Sequence, residues 1–408
     1  MTEAAHENSD EPIWARDDAF PKAPAGWGWL DYKKGAHPTE SAEALITAIR
    51  DDRNADMALV WTPGHERMVL PEEMNGAADA VLAARKRRSL DDLLDSFDKL
   101  RWFGILLGGL TLYMFYQGWS HAPVIAAPAE RLGFGLRAVV NSMSMGITLL
   151  MFLIFAFIPW YQAKKRLQEL THWTDGDTAG LIPVLRFETW LDWQKAPVTR
   201  LLLGLVCLVG LAQLVSKNSI STAGLVKDSY LRGEWWRLLT SPLLHGNIVH
   251  FLMNAAALLY LGKRVEVFAR WPHVPLVFLF SACIGGEASA RFMHTTSVGA
   301  SGGLMGWLGF LLVFESLHGR LVPRKARRRL IAGVLLTALI GLIGYRFIDN
   351  AAHAGGLLAG MLYAAIVFPK SSSPNRPNST LTDRITGGVA LGILVFSTGL
   401  AVLRILGE

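Results

Sequence analysis

Apolar and polar positions follow two rhythms along this chain. In the first hundred residues the apolar stretches are short. SAEALITAIR (41–50) has helical spacing, MALVW (57–61) and RMVL (67–70) read as short strands, and LDDLLDSFDKL (90–100) reads as an amphipathic helix. Residues 1–100 are therefore expected to be a soluble region holding a small α+β domain. Beyond them, long apolar runs alternate with short basic or glycine-rich connections. They fall at 102–119, 138–161, 198–216, 244–262, 274–290, 299–316, 330–345, 350–368 and 385–405. About 20 apolar residues in a helix cross roughly 30 Å of hydrocarbon. The pattern predicts an all-α polytopic membrane protein. Two transmembrane helices (101–162) and a polar linker (163–196) precede a six-helix core (197–370). A linker and one last transmembrane helix (371–408) follow it.

Composition agrees, with 51% of residues hydrophobic and 18% charged, a low share for a soluble chain. The opening MTEAAHENSD has neither a basic n-region nor an apolar h-region, so no cleavable signal peptide is expected. Cys207 and Cys283 both lie in apolar runs, which argues against a disulfide framework or a thiolate metal cluster. A net charge of +6 raises nucleic acid as a partner. The Arg and Lys residues flank the apolar runs, however, as the charges of membrane proteins do, and nucleic acid is not expected.

Those charges also predict topology. RKRR (85–88), KKR (164–166), Lys263 with Arg264, RLVPRKARRR (320–329), and Lys370, Arg376 and Arg384 all fall on one side if nine spans start from a cytoplasmic N-terminus. The C-terminus is then external. The membrane expected is the bacterial inner (plasma) membrane.

Strongly polar groups inside a membrane are costly and mark candidate functional sites. Gly299-Ala300-Ser301-Gly302-Gly303 has the G-x-S-x-G form of a hydrolase nucleophile elbow, and AAHAGGLLAG (351–360) carries His353 in the last core run. A serine hydroxyl needs a general base to attack, and a neutral imidazole suits that role. Gly299, Gly302, Gly356 and Gly360 would let the two helices approach closely enough to join Ser301 to His353. Taken singly, Ser301 could satisfy its own helix backbone and His353 could be a structural histidine. The pairing on glycine faces favours chemistry. LLHGNIVHFLMN (243–254) adds His245, His250 and Asn254. His250 and Asn254 share a helix face, and spacing alone admits either an oxyanion-binding pair or a polar clasp between helices.

Taken together, WWRLLTSPLLHGNIVHFLMNAAALLYLGKRVE (235–266), GASGGLMGWLGF (299–310) and DNAAHAGGLLAG (349–360) resemble the rhomboid intramembrane serine proteases over about residues 197–370. The resemblance implies a dyad of Ser301 as nucleophile and His353 as base. It also implies oxyanion stabilisation by His250, Asn254 and the Ser301 N–H, and a structural loop motif in Trp236 and Arg237. The implied substrates are transmembrane proteins cut near the outer ends of their spans. No cofactor or metal is implied. Two positions depart from the family pattern. Met305 stands where an aromatic residue often packs against the histidine. Glu287 is an unusual carboxylate in the third core helix, either lining a water path or lying near enough to the surface to be hydrated.

Other hydrolase types fit less well. No clear strand precedes Gly299, as a soluble esterase elbow requires. His65-Glu66-Arg67-Met68-Val69 lacks the second histidine of a zinc protease, and no aspartate pair lies in the spans. The remaining alternative is a catalytically silent rhomboid-like protein that binds transmembrane segments. Asp349, one turn before His353, is expected to stay outside the catalytic group, because a short side chain on the same helix reaches the far ring nitrogen poorly.

Overall fold

The computed structural model describes residues 10–407 except 53, 346 and 347, so nearly all of the polar opening stretch lies outside the described residues. The described chain forms two units. One comprises 10–16, Trp190–Ala338 and 349–407, and the other Asp17–Thr189 with Leu339–Ile348.

The second unit begins with β1 (Trp27–Asp31), β2 (Ala36–Thr39), α1 (Ala42–Asp51) and β3 (Met57–Trp61). The strands form an antiparallel sheet in the order β2-β1-β3. The Ser41 side chain caps α1 by accepting from the Ala44 N–H at 3.2 Å, and Leu45 and Ile49 carry the helix onto Met57 and Val60 in the core. The sheet differs from expectation. RMVL is not a strand and makes only isolated bridges, Val69 with Val60 and Arg67 with Lys22. WGWLD and AHPT, which carry weak strand signals, supply two of the three strands. Gly28 in β1 sits under Trp61, where a Cβ would lie 2.3 Å from the indole.

Next comes α2 (Ala78–Ser120), 43 residues without a break and about 65 Å long at 1.5 Å per residue. The amphipathic LDDLLDSFDKL and the apolar run at 102–119 are thus one helix. Its start packs Ala80 and Val81 into the domain core. The run at 138–161 is interrupted. After α3 (Pro128–Asn141), Ser142 leaves helical geometry and caps α4 (Met143–Phe152), which continues through a π turn into α5 (Ile158–Thr171). Two shorter helices follow, α6 (Asp175–Ala179) and α7 (Ile182–Trp193).

The first unit contains α8 (Pro197–Val215), three short helices α9 (Ser219–Ala223), α10 (Lys227–Leu231) and α11 (Arg237–Thr240), then α12 (Ile248–Ala269), α13 (His273–Phe292) and α14 (Ser301–Leu317). The chain continues through α15 (Arg324–Ile343), α16 (Asn350–Val367) and α17 (Leu381–Leu406). Five described helices are long and apolar enough to cross a membrane: Ser144–Thr171, α8, α13, α16 and α17. There are six if Arg237–Leu243 and α12, bent by 92° to each other, count as one span. Helices also form at the other expected positions. However, α14 has only 17 residues, and α15 opens with the basic run Arg324–Arg329.

Helices α13, α14 and α16 pack on one another, with α12 against α14 and α8 against α12 and α17. The connections gather at two ends of this bundle. At one end Arg270 donates to the Pro377 carbonyl, Arg376 to that of Val267, and Arg320 to those of Ser372 and Asp10, while the Trp14 indole donates to the Leu321 carbonyl at 2.7 Å. At the other end the 216–247 connection meets the 293–300 segment, where Leu225 and Ser297 exchange backbone hydrogen bonds of 2.9 and 3.2 Å.

Candidate active site

The residues singled out in the sequence sit at the starts of three helices at this second end. Ser301 is the first residue of α14. The first bond of that helix runs from the Leu304 N–H to the Ala300 carbonyl, so the N–H groups of Ser301, Gly302 and Gly303 have no partner within it. His353 lies in the first turn of α16, whose cap is Asp349, accepting from the Ala352 N–H at 2.9 Å. His250 lies in the first turn of α12, where Asn247 caps the helix by accepting the His250 N–H at 2.9 Å. Asn254 follows one turn later and is buried.

Backbone contact draws α14 and α16 together. A Cβ on Gly356 would fall 2.0 Å from the Gly302 carbonyl oxygen, and one on Gly360 would fall 1.8 Å from that of Gly306. The Gly302–Gly356 contact lies one residue after Ser301 and three after His353, so the turns bearing them are in direct contact. No hydrogen bond joins the two side chains among the described residues. Catalytic hydrogen bonds often tighten only once substrate binds.

Gly299 has a different place from the other three glycines. It precedes α14 with φ of +125°, a conformation that favours glycine. A Cβ there would lie 2.6 Å from His250 Cε1 and 3.4 Å from Asn254 Nδ2. The chain entering Ser301 therefore runs directly over His250 and Asn254. The Asn254 Nδ2 and the His353 Nδ1 are both buried without a hydrogen-bond partner. A native structure rarely leaves such groups unpaired, because each costs about 1–3 kcal/mol. His245 has its ring edge-on to His250, with centroids 5.1 Å apart. Its backbone is held by Gln213, which accepts from the N–H at 2.9 Å and donates to the carbonyl at 3.1 Å.

The loop motif is bonded inward. Buried Arg237 donates to the Gly224 and Ser221 carbonyls at 2.7 and 3.1 Å and pairs with Glu234 at 2.5 Å. Two guanidinium groups, those of Arg237 and Arg404, each lie 4.7 Å from the centroid of the Trp236 ring. Met305 is buried in α14. Glu287 accepts from the Tyr230 phenol at 2.5 Å and pairs with Arg291 at 2.6 Å, and its side chain is partly exposed.

One group near the site carries no periodic signal in the sequence. Lys227, Ser289, Ser297 and Asp349 come from four separate segments and form a partly buried polar cluster, with Lys227 and Ser289 its buried members.

Comparison with known proteins gives the family. Residues 232–370 match the rhomboid domain model. The rhomboid protease GluP of Bacillus subtilis is 34% identical over 190 residues, 44% of this chain and 36% of the relative. RHOMBOID-like protein 4 of Arabidopsis thaliana is 34% identical over 144 residues, 35% of this chain and 36% of the relative. Inactive rhomboid protein 2 of Homo sapiens is 34% identical over 139 residues, 33% of this chain and 16% of the relative. The chain thus spans about a third of the length of the first two relatives. One relative is named a protease and another inactive, so family membership alone does not decide catalysis. Through its rhomboid domain, and with several helices long and apolar enough to cross a membrane, this chain is an integral membrane protein of the rhomboid family.

Proposed function

We propose that this protein is an intramembrane serine endopeptidase that hydrolyses peptide bonds in or near transmembrane segments of membrane proteins. The observation that carries this reading is the backbone contact of Gly302 with Gly356, which brings the turn of Ser301 against the turn of His353. In this mechanism His353 takes the Ser301 proton as Oγ attacks the substrate carbonyl carbon. The oxyanion so formed accepts from the Ser301 N–H, from Asn254 Nδ2 and from His250. His353 then protonates the leaving amine as the C–N bond breaks, and water hydrolyses the acyl-enzyme with His353 again as base. The unpartnered Asn254 Nδ2 supports this assignment, since an oxyanion would satisfy a donor that is otherwise buried and unpaired. A dyad fits better than a triad, because His353 Nδ1 has no acceptor.

Substrates are transmembrane proteins, cut close to the outer ends of their spans. The candidate residues all lie within about one to two turns of the helix starts, so water needs to penetrate only a short distance. We propose nine spans in all: the second half of α2, the α4–α5 helix, α8, α12 through α17. The N-terminus is then cytoplasmic, the C-terminus external, and the membrane the bacterial inner membrane. Hydrogen bonds from Trp14 and Arg320 support this orientation. They tie residues 10–16 to the basic 318–323 connection at the end of the bundle opposite Ser301.

A fluorophosphonate probe tests the reading. Covalent labelling of the wild type and none of Ser301→Ala supports a reactive serine. Absence of labelling and of cleavage would favour the second reading, a silent rhomboid-like protein that binds transmembrane segments.

A further inference from the structure

Four polar side chains meet beside the active-site turns. The Lys227 ammonium, on α10, donates to Ser289 Oγ on α13 at 2.5 Å and to Ser297 Oγ, in the segment entering Ser301, at 2.8 Å. Both serines in turn donate to Asp349 Oδ2, at the cap of α16. The other Asp349 oxygen accepts the Ala352 N–H. Each hydroxyl thus accepts from the lysine and donates to the aspartate, so one ammonium indirectly ties four segments. Two of them are the segment leading into Ser301 and the first turn under His353. Lys227 is 5% exposed and Ser289 fully buried. A lysine is seldom buried this far unless it is paired.

We propose that Lys227 is a positioning residue for the Ser301–His353 pair, its ammonium holding the entry to α14 and the start of α16 in register through Ser289, Ser297 and Asp349. This rests on the protease reading above. Small misplacements of reacting groups are expensive in rate, about 100-fold for 1 Å, so a brace at the base of both turns acts directly on turnover. It is also a brace that titrates. Burial pushes the Lys227 ammonium down from its ordinary 10.5 to about 8, against the opposing pull of the Asp349 carboxylate. Facing it are Asp349 from α16 and the hydroxyls of Ser289 and Ser297. Nearby on α10 are Asp228 and Tyr230, and Tyr230 is bonded to Glu287 of α13, which pairs with Arg291.

The sign of the linkage separates positioning from folding. With the folded value below the unfolded one, burying the charge destabilises the fold in full below pH 8, and the penalty is relieved between about 8 and 10.5. Loss of the proton should therefore lower turnover without lowering the unfolding temperature.

The experiment measures kcat and KM from pH 6 to 10 in liposomes, on a single-span model substrate with no titratable side chain near its cut. The enzymes are the wild type, Lys227→Met, Lys227→Arg and Ser301→Ala. In the wild type, kcat should fall with a midpoint near pH 8 while the unfolding temperature does not. Lys227→Met should cut kcat at pH 7 by about 10–100-fold at similar KM, with the alkaline fall gone. The alkaline fall should also be gone in Lys227→Arg, whose charge persists throughout. If Lys227→Met does not fold, the Arg variant alone decides. A fall near pH 8 that survives in a folded variant, or wild-type kcat in Lys227→Met, would overturn the proposal. Cleavage that Ser301→Ala retains, or no cleavage by the wild type, would instead overturn the protease reading, and the role of Lys227 with it.

Discussion

Gly302 and Gly356 meet backbone to backbone, with only 2.0 Å between the Gly302 carbonyl oxygen and the place a Gly356 Cβ would occupy. Nothing but glycine at 356 lets α14 and α16 approach this closely, and the two candidate catalytic residues stand on the turns joined there. Gly356→Ala should therefore force the helices apart. Overpacking of this kind costs about 1–3 kcal/mol, and cleavage should be lost before the fold is. The control is Gly204→Ala on α8, where a Cβ meets nothing within 4 Å. Thermal unfolding in detergent should show the first variant destabilised and the second unchanged or slightly stabilised.

Asn254→Ala should slow turnover by about 100–1,000-fold, the usual cost of one oxyanion donor. The Ser301 N–H and His250 remain, so activity should not vanish. Single-turnover cleavage at saturating substrate checks this, and a wild-type rate would return Asn254 to a clasp between helices.

Asp349 invites a triad because it stands one turn from His353, yet its oxygens are taken by the Ala352 N–H and the hydroxyls of Ser289 and Ser297. Asp349→Asn should cost far less than the roughly 10,000-fold loss seen when a triad aspartate is neutralised. It also removes the charge that holds the Lys227 proton in place. The alkaline limb of the pH–kcat profile should therefore move to lower pH, and a shift to higher pH would contradict the pairing.

The residues of the candidate site were more legible in the sequence than their surroundings. Ser301, His353, His250 and Asn254 stand out because polar groups in apolar runs are costly, and their spacing predicts shared faces. The role of Gly299 was harder to foresee, since its neighbours in sequence suggest a helix while its backbone has positive φ. Lys227 was illegible, because its partners lie 62 and 70 residues away and no periodicity connects them. In the small domain, propensity favoured RMVL over WGWLD. Tertiary packing of Trp61 on Gly28 decided otherwise. The length of α2 was hidden by the change from a polar to an apolar surface midway, which alters what the helix faces and not whether it is a helix.

Topology can be tested independently of catalysis. Reporter fusions in the 319–329 connection and at the C-terminal end should give opposite signals, cytoplasmic and external respectively. Equal signals would mean that the number of spans between the two points differs from the three proposed.

The most direct test of the central claim is cleavage of a model transmembrane substrate by the purified protein in liposomes, comparing the wild type with Ser301→Ala and His353→Ala. The dyad predicts a single cut near the outer end of the substrate span by the wild type, and none above background by either folded variant. Site-specific cleavage that persists in Ser301→Ala would contradict it.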